Sequence, residues 1–568
     1  MSYEEKVFEI IKKSIKSAIF IDEKALESYS IQQFDETIIE HNLCLELHKS
    51  FKKEGVSLAV HKFEKENIDN TKLKRYLFND RDLVLLDWEL DNDVNIGLSY
   101  SLKLLSEIVN SNHINFCCIY SSSSKFDGIF NHILSYFSDI SKDEREKIIS
   151  VFDGVNELVE IANSFNHNDS NAYDDVIDKL ENIGLTVTLI NKHFNNTNIK
   201  DSIKKILHSF SDYTKSDGME HIPNLISYEN NSLVINNTII FILQKDFETD
   251  INTDVIINRI SNVFVSTQNN FVQLLGLEMQ TVFNNEGSFI DENLLNVSKE
   301  TIFAHRNHLK EKNKSDIPFK SLIKNVLIEH STLKLRTAQL SILDEPFLDE
   351  ESKKQVNKPS DNDIAALNTF YNSVQIAKTK NSNLPSINFG DVFFDGKKYY
   401  YLCITALCDC LRPEKIKQNY YFVKGEPIDI KLANSLGDSA FISYLSGDLS
   451  VTWVTLESTK AIKVDNTGLS SEEKQINNLK SENAALKQFR FKPVYIEPLN
   501  FNVKNPTIVD KKIQVRRVES TNENVEDNGT INFINFEYIS TLRPNYTQRM
   551  ANHAFTHPIR VGVDFVKN

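Results

Sequence analysis

Three carboxylate side chains follow apolar runs that have the composition of buried strands. Asp22 and Glu23 come directly after the run Ala-Ile-Phe-Ile, and Asp87 comes directly after the run Leu-Val-Leu-Leu. Mg²⁺ prefers oxygen ligands and commonly takes one or two carboxylates together with phosphate oxygens. An aspartate beside such a cation can attack a phosphoryl group. We therefore predict a Mg²⁺ site at Asp22, Glu23 and Asp87, with Asp87 as the candidate phosphoacceptor.

Buried strands that alternate with helices must position these groups. Apolar runs at 18–21, 56–63, 83–86 and 116–120 predict four strands, with helical segments between them. This alternation is typical of βαβ units in a parallel sheet that is covered on both faces. Ligand chemistry in such sheets gathers at the carboxyl ends of the strands. Ser121, which follows the fourth run, is therefore expected to meet a phosphorylated Asp87 and to move in response to its charge.

A fifth strand is predicted at 185–190, where the sequence reads Leu-Thr-Val-Thr-Leu-Ile, and Lys192 follows it. The long stretch before it, which includes the Asn- and Asp-rich segment 166–175, is then an insertion in the domain. An ammonium group at this strand end would help to neutralise the charge on a phosphoryl group. The role of Lys192 depends on the insertion, because without it Lys192 lies outside the site.

This arrangement resembles the response-regulator receiver domain over residues 1–200. The resemblance implies a flavodoxin-like parallel sheet with strand order 2-1-3-4-5. It also implies one role for each candidate: the acidic pair is Asp22 and Glu23, the phosphoacceptor is Asp87, the switch hydroxyl is Ser121 and the charge-compensating lysine is Lys192. The residue after Lys192 is His193, where this family usually has proline.

A more specific resemblance is to a divergent receiver class found in bacterial conflict (anti-phage) systems, at the N-terminus of a larger protein. This resemblance implies a protein partner, namely a histidine-kinase-like or chaperone-like ATPase. The leading hypothesis is a signalling protein whose receiver controls the rest of the chain. One alternative is an adaptor with a degenerate receiver that only docks a partner.

The remainder of the chain is predicted to hold two further domains. The segment 201–343 is mostly helical, with a hairpin at 232–245 that turns at Asn236 and Asn237. Residues 344–386 are the best linker candidate and contain one short helix. Alternating apolar residues from 387 to 568 predict a β-rich C-terminal domain, a small barrel or an α+β fold, with a hairpin turned at Asp395-Gly396.

A second site is predicted in the C-terminal tail, which is dense in Arg and His. Arg543, His553, His557 and Arg560 could bind an anion, a nucleotide or a phosphodiester, because guanidinium groups suit bidentate phosphate contacts. The chain would then be an effector that acts on a nucleotide or nucleic acid. The competing interpretation is that these groups satisfy strand ends and domain contacts. Whether the protein is an enzyme stays open at this point.

Composition limits the class of protein. The net charge of −15 argues against wholesale non-specific binding of nucleic acid, although it leaves a local basic patch possible. The apolar runs are shorter than the roughly 20 residues that cross a bilayer, so we expect no membrane association. Six cysteines in 568 residues favour reduced thiols and a cytoplasmic protein over a disulfide framework. The chain also lacks the glycine-rich phosphate loops of ATPases and kinases.

Overall fold

The computed structural model of the 568-residue chain forms two compact units. One unit comprises residues 1–288 and 331–354, and the other comprises residues 289–330 and 355–568. The structure describes all residues except 1, 28–33, 92, 112, 122–125, 139, 153–156, 166–169, 195–198, 212–225, 230–231, 245–251, 267–269, 287–294, 314–315, 356–357, 376–383, 437–440, 455–495, 519–532 and 556–568. The predicted domain boundary at residue 200 falls inside the first unit.

The first unit begins with helices and strands in alternation, as predicted. Its elements in this part are α1 (Tyr3–Ser14), β1 (Ser17–Asp22), α2 (Ile39–Lys53), β2 (Ser57–Lys62), α3 (Thr71–Phe78), β3 (Leu83–Asp87), α4 (Val94–Ile108), β4 (Asn115–Ser121) and α5 (Phe126–Tyr136). β1, β3 and β4 are buried nearly throughout, because helices cover both faces of the sheet.

A helical insertion and a further run of sheet follow. The elements are α6 (Lys142–Phe152), α7 (Leu158–Ser164), α8 (Ser170–Asn182), α9 (Val187–His193), α10 (Ile199–Phe210), β5 (Ile226–Glu229), β6 (Ser232–Ile235), β7 (Thr238–Gln244), α11 (Thr253–Ser266) and α12 (Asn270–Glu286). α6 to α10 share a core of their own, which includes Phe152, Leu180 and Ile206.

The seven-stranded sheet has the order β2-β1-β3-β4-β7-β6-β5. The predicted order 2-1-3-4 is confirmed for the first four strands, which pair in parallel. β7 pairs in parallel with β4 and occupies the fifth position, while β6 and β5 extend the sheet antiparallel. The hairpin predicted at 232–245 therefore supplies the fifth strand, and Asn236 makes its turn with a φ of 54°.

The prediction of a fifth strand at 185–190 is wrong. Most of this segment forms the start of α9, whose Ile190 packs into the core of the insertion. Short apolar runs with β-branched residues do not distinguish a strand from a helix by periodicity alone. The run of β7, Thr-Ile-Ile-Phe-Ile-Leu, is almost continuously apolar and buried, which is typical of a parallel strand that is covered on both faces.

Two apolar layers cover the sheet. On one face α1, α2, α11 and α12 contribute side chains such as Ile10, Phe51 and Ile260. On the other face α3, α4 and α5 contribute Leu77, Leu105 and others. Because α11 follows β7 and packs on the sheet, β7 and α11 complete the α/β domain after the helical insertion.

The remaining elements are mostly strands. They are α13 (Lys299–Asn313), α14 (Ile317–Lys334), α15 (Glu345–Lys354), α16 (Asp361–Asn372), β8 (Ser373–Val374), β9 (Leu384–Ser386), β10 (Asp391–Phe394), β11 (Tyr400–Cys403), α17 (Leu407–Cys410), β12 (Asn419–Ile428), α18 (Ile430–Leu436), β13 (Ile442–Ser446), β14 (Leu449–Thr452), β15 (Pro498–Val503), β16 (Thr507–Ile508), β17 (Lys512–Arg517), β18 (Ile534–Leu542) and α19 (Pro544–Ala554).

The second unit contains an antiparallel barrel, one of the two folds predicted for the C-terminal domain. Eight strands of its nine-stranded sheet follow the order β11-β10-β18-β17-β15-β12-β14-β13, and the ninth strand, β8, pairs with β18. β11 also pairs with β12, which closes a ring around Phe393, Phe422, Phe501 and Phe536. The hairpin predicted at Asp395-Gly396 is confirmed as the β10–β11 connection. The predicted linker 344–386 includes α15, α16 and β8. In the described part of the chain, no helix is both long and apolar enough to span a membrane.

Candidate functional site

The carboxyl ends of β1, β3 and β4 bring three of the predicted site residues to one edge of the sheet. Asp22 is the last residue of β1 and Asp87 is the last residue of β3. The register pairs Ile21 with Leu86, so these two aspartates lie side by side on neighbouring strands. Ser121 ends β4, one residue beyond the partner of Asp87. Asp22, Asp87 and Ser121 are all buried.

Glu23 completes a cluster of three carboxylates with the two aspartates. One ligand oxygen from each of Asp22, Glu23 and Asp87 lies within 4.8 Å of the others. Like charges at this separation repel one another, and a divalent cation removes the repulsion. Among the residues that the structure describes, none offers a hydrogen-bond partner to the buried Glu23 Oε2. Three carboxylates with an unsatisfied buried oxygen fit the ligand preference of Mg²⁺.

Lys24 is a cationic neighbour of this cluster that the sequence interpretation missed. Its backbone N–H donates to Asp22 Oδ1 at 2.7 Å, and its Nζ lies 3.3 Å from Glu23 Oε1. Glu40, in the first turn of α2, lies 3.8 Å from the same Nζ. Burial alone would lower the pKa of Lys24, but the charges of Glu23, Glu40 and Asp22 raise it above its ordinary value. Lys24 is therefore a charged group within the site.

The backbone and side chains near Glu23 are hydrogen-bonded to the end of β2. Glu27 accepts a hydrogen bond from the Lys62 backbone N–H at 3.0 Å, and its Oε1 lies 2.8 Å from His61 Nδ1. The Phe63 N–H donates to the Asp22 carbonyl at 3.0 Å. These bonds fix the backbone that carries Asp22 and Glu23. Sequence reasoning missed Glu27 and His61, because their pairing joins two segments that are far apart in the chain.

The turn after Asp87 is held by α4. The buried Ser101 hydroxyl lies 2.8 Å from the Trp88 carbonyl and 3.1 Å from the Asp87 carbonyl. The Trp88 N–H donates to the Tyr120 carbonyl at 3.1 Å, which continues the β3–β4 ladder. A side chain at Gly97 would meet the backbone of the same turn at 2.9 Å, so α4 approaches the turn closely. The position of Asp87 is thus set by backbone contacts on both sides.

Lys192 does not belong to this edge of the sheet, contrary to the prediction. It is exposed on α9 in the helical insertion and follows no strand. The fifth strand is β7, whose Gln244 pairs with Ser121. The next residue in the sequence is Lys245, which lies outside the described residues. The signal that could have identified it is the continuous apolar run of β7 followed directly by Gln-Lys.

The sheet order and its acidic edge define an α/β domain of the receiver type. Residues 14–171 match the family model of the response receiver domain. No curated protein and no solved structure matches the chain. The N-terminal part of this protein is therefore a receiver domain. The matched segment ends within α8, so β7 and α11 lie beyond it in the sequence although they complete the same sheet and its cover.

The predicted C-terminal site has two described members, and they lie at opposite ends of α19. The Arg543 guanidinium donates to the Phe370 carbonyl at 3.0 and 3.2 Å, where it caps the end of α16. His553 packs edge-on against Phe441, and burial and the neighbouring Arg549 lower its pKa. Ten residues of helix separate Arg543 and His553 by about 15 Å. His557 and Arg560 lie outside the described residues.

Proposed function

We propose that this protein is a phosphorylation-controlled regulator in which Asp87 accepts a phosphoryl group. The observation that carries the proposal is the cluster of Asp22, Glu23 and Asp87 oxygens within 4.8 Å at the edge of a receiver sheet. An Asp87 oxygen attacks the phosphorus atom, and the bond from phosphorus to the donor's leaving oxygen breaks. The product is an acyl phosphate on Asp87, and the leaving group departs with the bonding electron pair.

The carboxylates of Asp22, Glu23 and Asp87 would hold Mg²⁺, whose charge stabilises the equatorial oxygens of the transferred group when it is bound. The buried Glu23 Oε2 supports this assignment, since a carboxylate oxygen without a partner is costly unless something binds it. Ser121 ends the strand next to Asp87, which supports a role for its hydroxyl as a hydrogen-bond donor to the acyl phosphate.

Lys245 is the lysine that we propose for charge compensation, in place of Lys192. The assignment is based on β7, which ends beside Ser121 at Gln244 and is followed by Lys245 in the sequence. Lys245 thus follows the fifth strand of the sheet, as the lysine of the receiver family does. The next residue is Asp246 instead of the usual proline.

We further propose that the phosphorylated receiver controls the second unit, and that a histidine-kinase-like or chaperone-like ATPase is the phosphoryl donor or docking partner. We also propose that the protein is a cytoplasmic phosphoprotein that depends on Mg²⁺, and that it acts in a bacterial defence system. The basis of these proposals is the receiver match together with the large barrel unit that follows it in the chain. Ser121 is the residue that would respond to the new charge at Asp87.

Phosphorylation is tested with the full chain, acetyl phosphate and Mg²⁺. Intact-mass measurement is expected to show one added phosphoryl group that hydroxylamine removes, since acyl phosphates are cleaved by that nucleophile. Asp87→Asn is expected to abolish the addition. The matched control is Asp91→Asn, which makes the same change four residues further on, where Asp91 pairs with Lys65 at 3.7 Å. Absence of the added mass in wild type, or its persistence in Asp87→Asn, would show that Asp87 is no phosphoacceptor.

A further inference from the structure

Lys24 lies between two carboxylates that belong to different parts of the acidic pocket. Its Nζ is 3.3 Å from Glu23 Oε1, at the cation cluster, and 3.8 Å from Glu40 Oε1, on α2. Glu23 is a member of the three-carboxylate cluster, whereas Glu40 is not. The ammonium group therefore already contacts a ligand of the cation site and an acceptor outside it.

The three side chains differ in their freedom to move. The Lys24 side chain is 52% exposed, while those of Glu23 and Glu40 are 21% and 15% exposed. An exposed lysine with a long flexible stem can shift by an ångström or two without disturbing the core. Glu40 lies in the first turn of α2, where the positive end of the helix dipole attracts a negative charge. Lys24 is thus the mobile partner of two carboxylates that are held more firmly.

We propose that Lys24 is a resident counterion of the cation site, bound to Glu23 in the absence of a divalent cation and transferred to Glu40 when one binds. The inference rests on the proposed function, because it takes the cation site at Asp22, Glu23 and Asp87 as given. Lys24 and Glu40 then set the affinity of the site, although neither is a ligand. The site binds a divalent cation more weakly than the three carboxylates alone would, since the cation must displace a neighbouring positive charge.

The test is a Mg²⁺ titration of the full chain, followed by the fluorescence of Trp88 and checked by titration calorimetry. Trp88 is buried next to Asp87, and Trp453→Phe removes the other tryptophan of the chain, which lies in the second unit. Lys24→Gln is expected to lower the Kd for Mg²⁺ by about tenfold, because a unit charge roughly 5 to 6 Å from a divalent cation contributes on that order in a largely aqueous dielectric. The effect should shrink at high ionic strength.

Two further variants test the transfer to Glu40. Glu40→Gln is expected to raise the Kd, and this increase should be at least about threefold larger in the wild-type background than in the Lys24→Gln background. Lys24→Arg keeps the charge and should keep the wild-type Kd. The matched control is Lys49→Gln on α2, which breaks a comparable exposed pair with Glu46 and should leave the Kd unchanged.

The outcomes separate this inference from the proposed function. If wild type binds Mg²⁺ and Lys24→Gln binds it no more tightly, the cation site stands and the counterion role is wrong. Equal effects of Glu40→Gln in both backgrounds would contradict the transfer. If neither wild type nor Lys24→Gln binds Mg²⁺, the cation site itself is wrong and the counterion role falls with it.

Discussion

The two units of this protein both bury carboxylates in a sheet, but they treat them differently. In the second unit Asp391 is 4% exposed, and both of its carboxylate oxygens accept hydrogen bonds from protein groups. The Asn388 N–H donates to Oδ2 at 2.7 Å and the Thr541 hydroxyl donates to Oδ1 at 2.7 Å. Burial raises the pKa of Asp391 to about 7, although these two hydrogen bonds act in the opposite direction.

The acidic pocket of the first unit instead brings several carboxylates close together. One oxygen from each of three carboxylates lies within 4.8 Å of the other two. The buried Glu23 Oε2 has no hydrogen-bond partner among the described residues. A single buried acid with complete hydrogen bonding joins β10 to β18, whereas a cluster of acids at strand ends fits an external cation. Clustering and unmet hydrogen bonding, more than burial, therefore distinguish a ligand site from a structural carboxylate.

The largest expected effect comes from removing one carboxylate of the cluster. Asp22→Asn should abolish most of the stabilisation that Mg²⁺ gives to the receiver, because it removes one ligand of the cation. In wild type, Mg²⁺ at a hundredfold excess over its Kd contributes about 2.7 kcal/mol to the free energy of unfolding. The measurement is thermal unfolding, followed by Trp88 fluorescence at increasing Mg²⁺ concentrations. Asp391→Asn is the matched change in the second unit and should leave this Mg²⁺ response intact. A Mg²⁺ response lost in Asp391→Asn but kept in Asp22→Asn would reverse the comparison.

The next effect concerns the lysine of the site. Lys245→Gln should slow the phosphorylation of Asp87 by acetyl phosphate by roughly a hundredfold, the lower end of the range expected when one electrostatic donor is removed from a transition state. Lys192→Gln is the control, because Lys192 is exposed on the helical insertion. The rate is measured by intact mass at short times. Equal rates for wild type and Lys245→Gln would exclude Lys245 from the site.

The sequence predicts the acidic edge of the sheet well because the signal is local. Each of Asp22, Asp87 and Ser121 ends a short apolar run, and runs of this kind in a parallel sheet end at one edge. The fifth strand could not be predicted in the same way, because the insertion of α6 to α10 and the β5–β6 strands separate it from β4. The fifth strand was therefore wrongly assigned to 185–190. Lys192, which follows that segment, was wrongly assigned to the site as a result.

Long-range contacts explain what else the sequence does not reveal. The barrel of the second unit is visible as alternating apolar residues, since its strands cover a core on one side. The role of Arg543 is not visible, because its partner Phe370 lies far away in the sequence. The same holds for Glu27 with His61 and for Lys24 with Glu40. Pairs that meet only after folding have no spacing signature.

A separate effect is expected from pH on the second unit. The pKa of Asp391 is raised from 3.8 to about 7 on folding, so the folded state binds the proton more tightly than the unfolded state. The stabilisation is therefore fully present below the unfolded pKa and is lost as the pH rises through about 7. The free energy of unfolding should fall by at most about 4 kcal/mol over this interval, given roughly 1.4 kcal/mol per pKa unit.

The measurement is denaturant unfolding followed by Trp453 fluorescence in a Trp88→Phe background. Asp391→Asn should flatten this pH dependence, because an amide does not titrate. Asp395→Asn is the control: it changes a half-buried aspartate in the β10–β11 turn of the same unit. If the pH dependence persists in Asp391→Asn, another titrating group causes it.

The smallest effect tests how firmly the α/β domain positions Asp87, the proposed phosphoacceptor. Ser101→Ala removes the hydroxyl that contacts the Asp87 and Trp88 carbonyls and should lower the free energy of unfolding by about 1 kcal/mol. Phosphorylation of Asp87 should slow a few-fold, because the turn is less well fixed, while the Kd for Mg²⁺ changes less. Ser99→Ala, on the exposed side of α4, is the matched control. If both variants slow phosphorylation equally, the Ser101 contacts do not position Asp87.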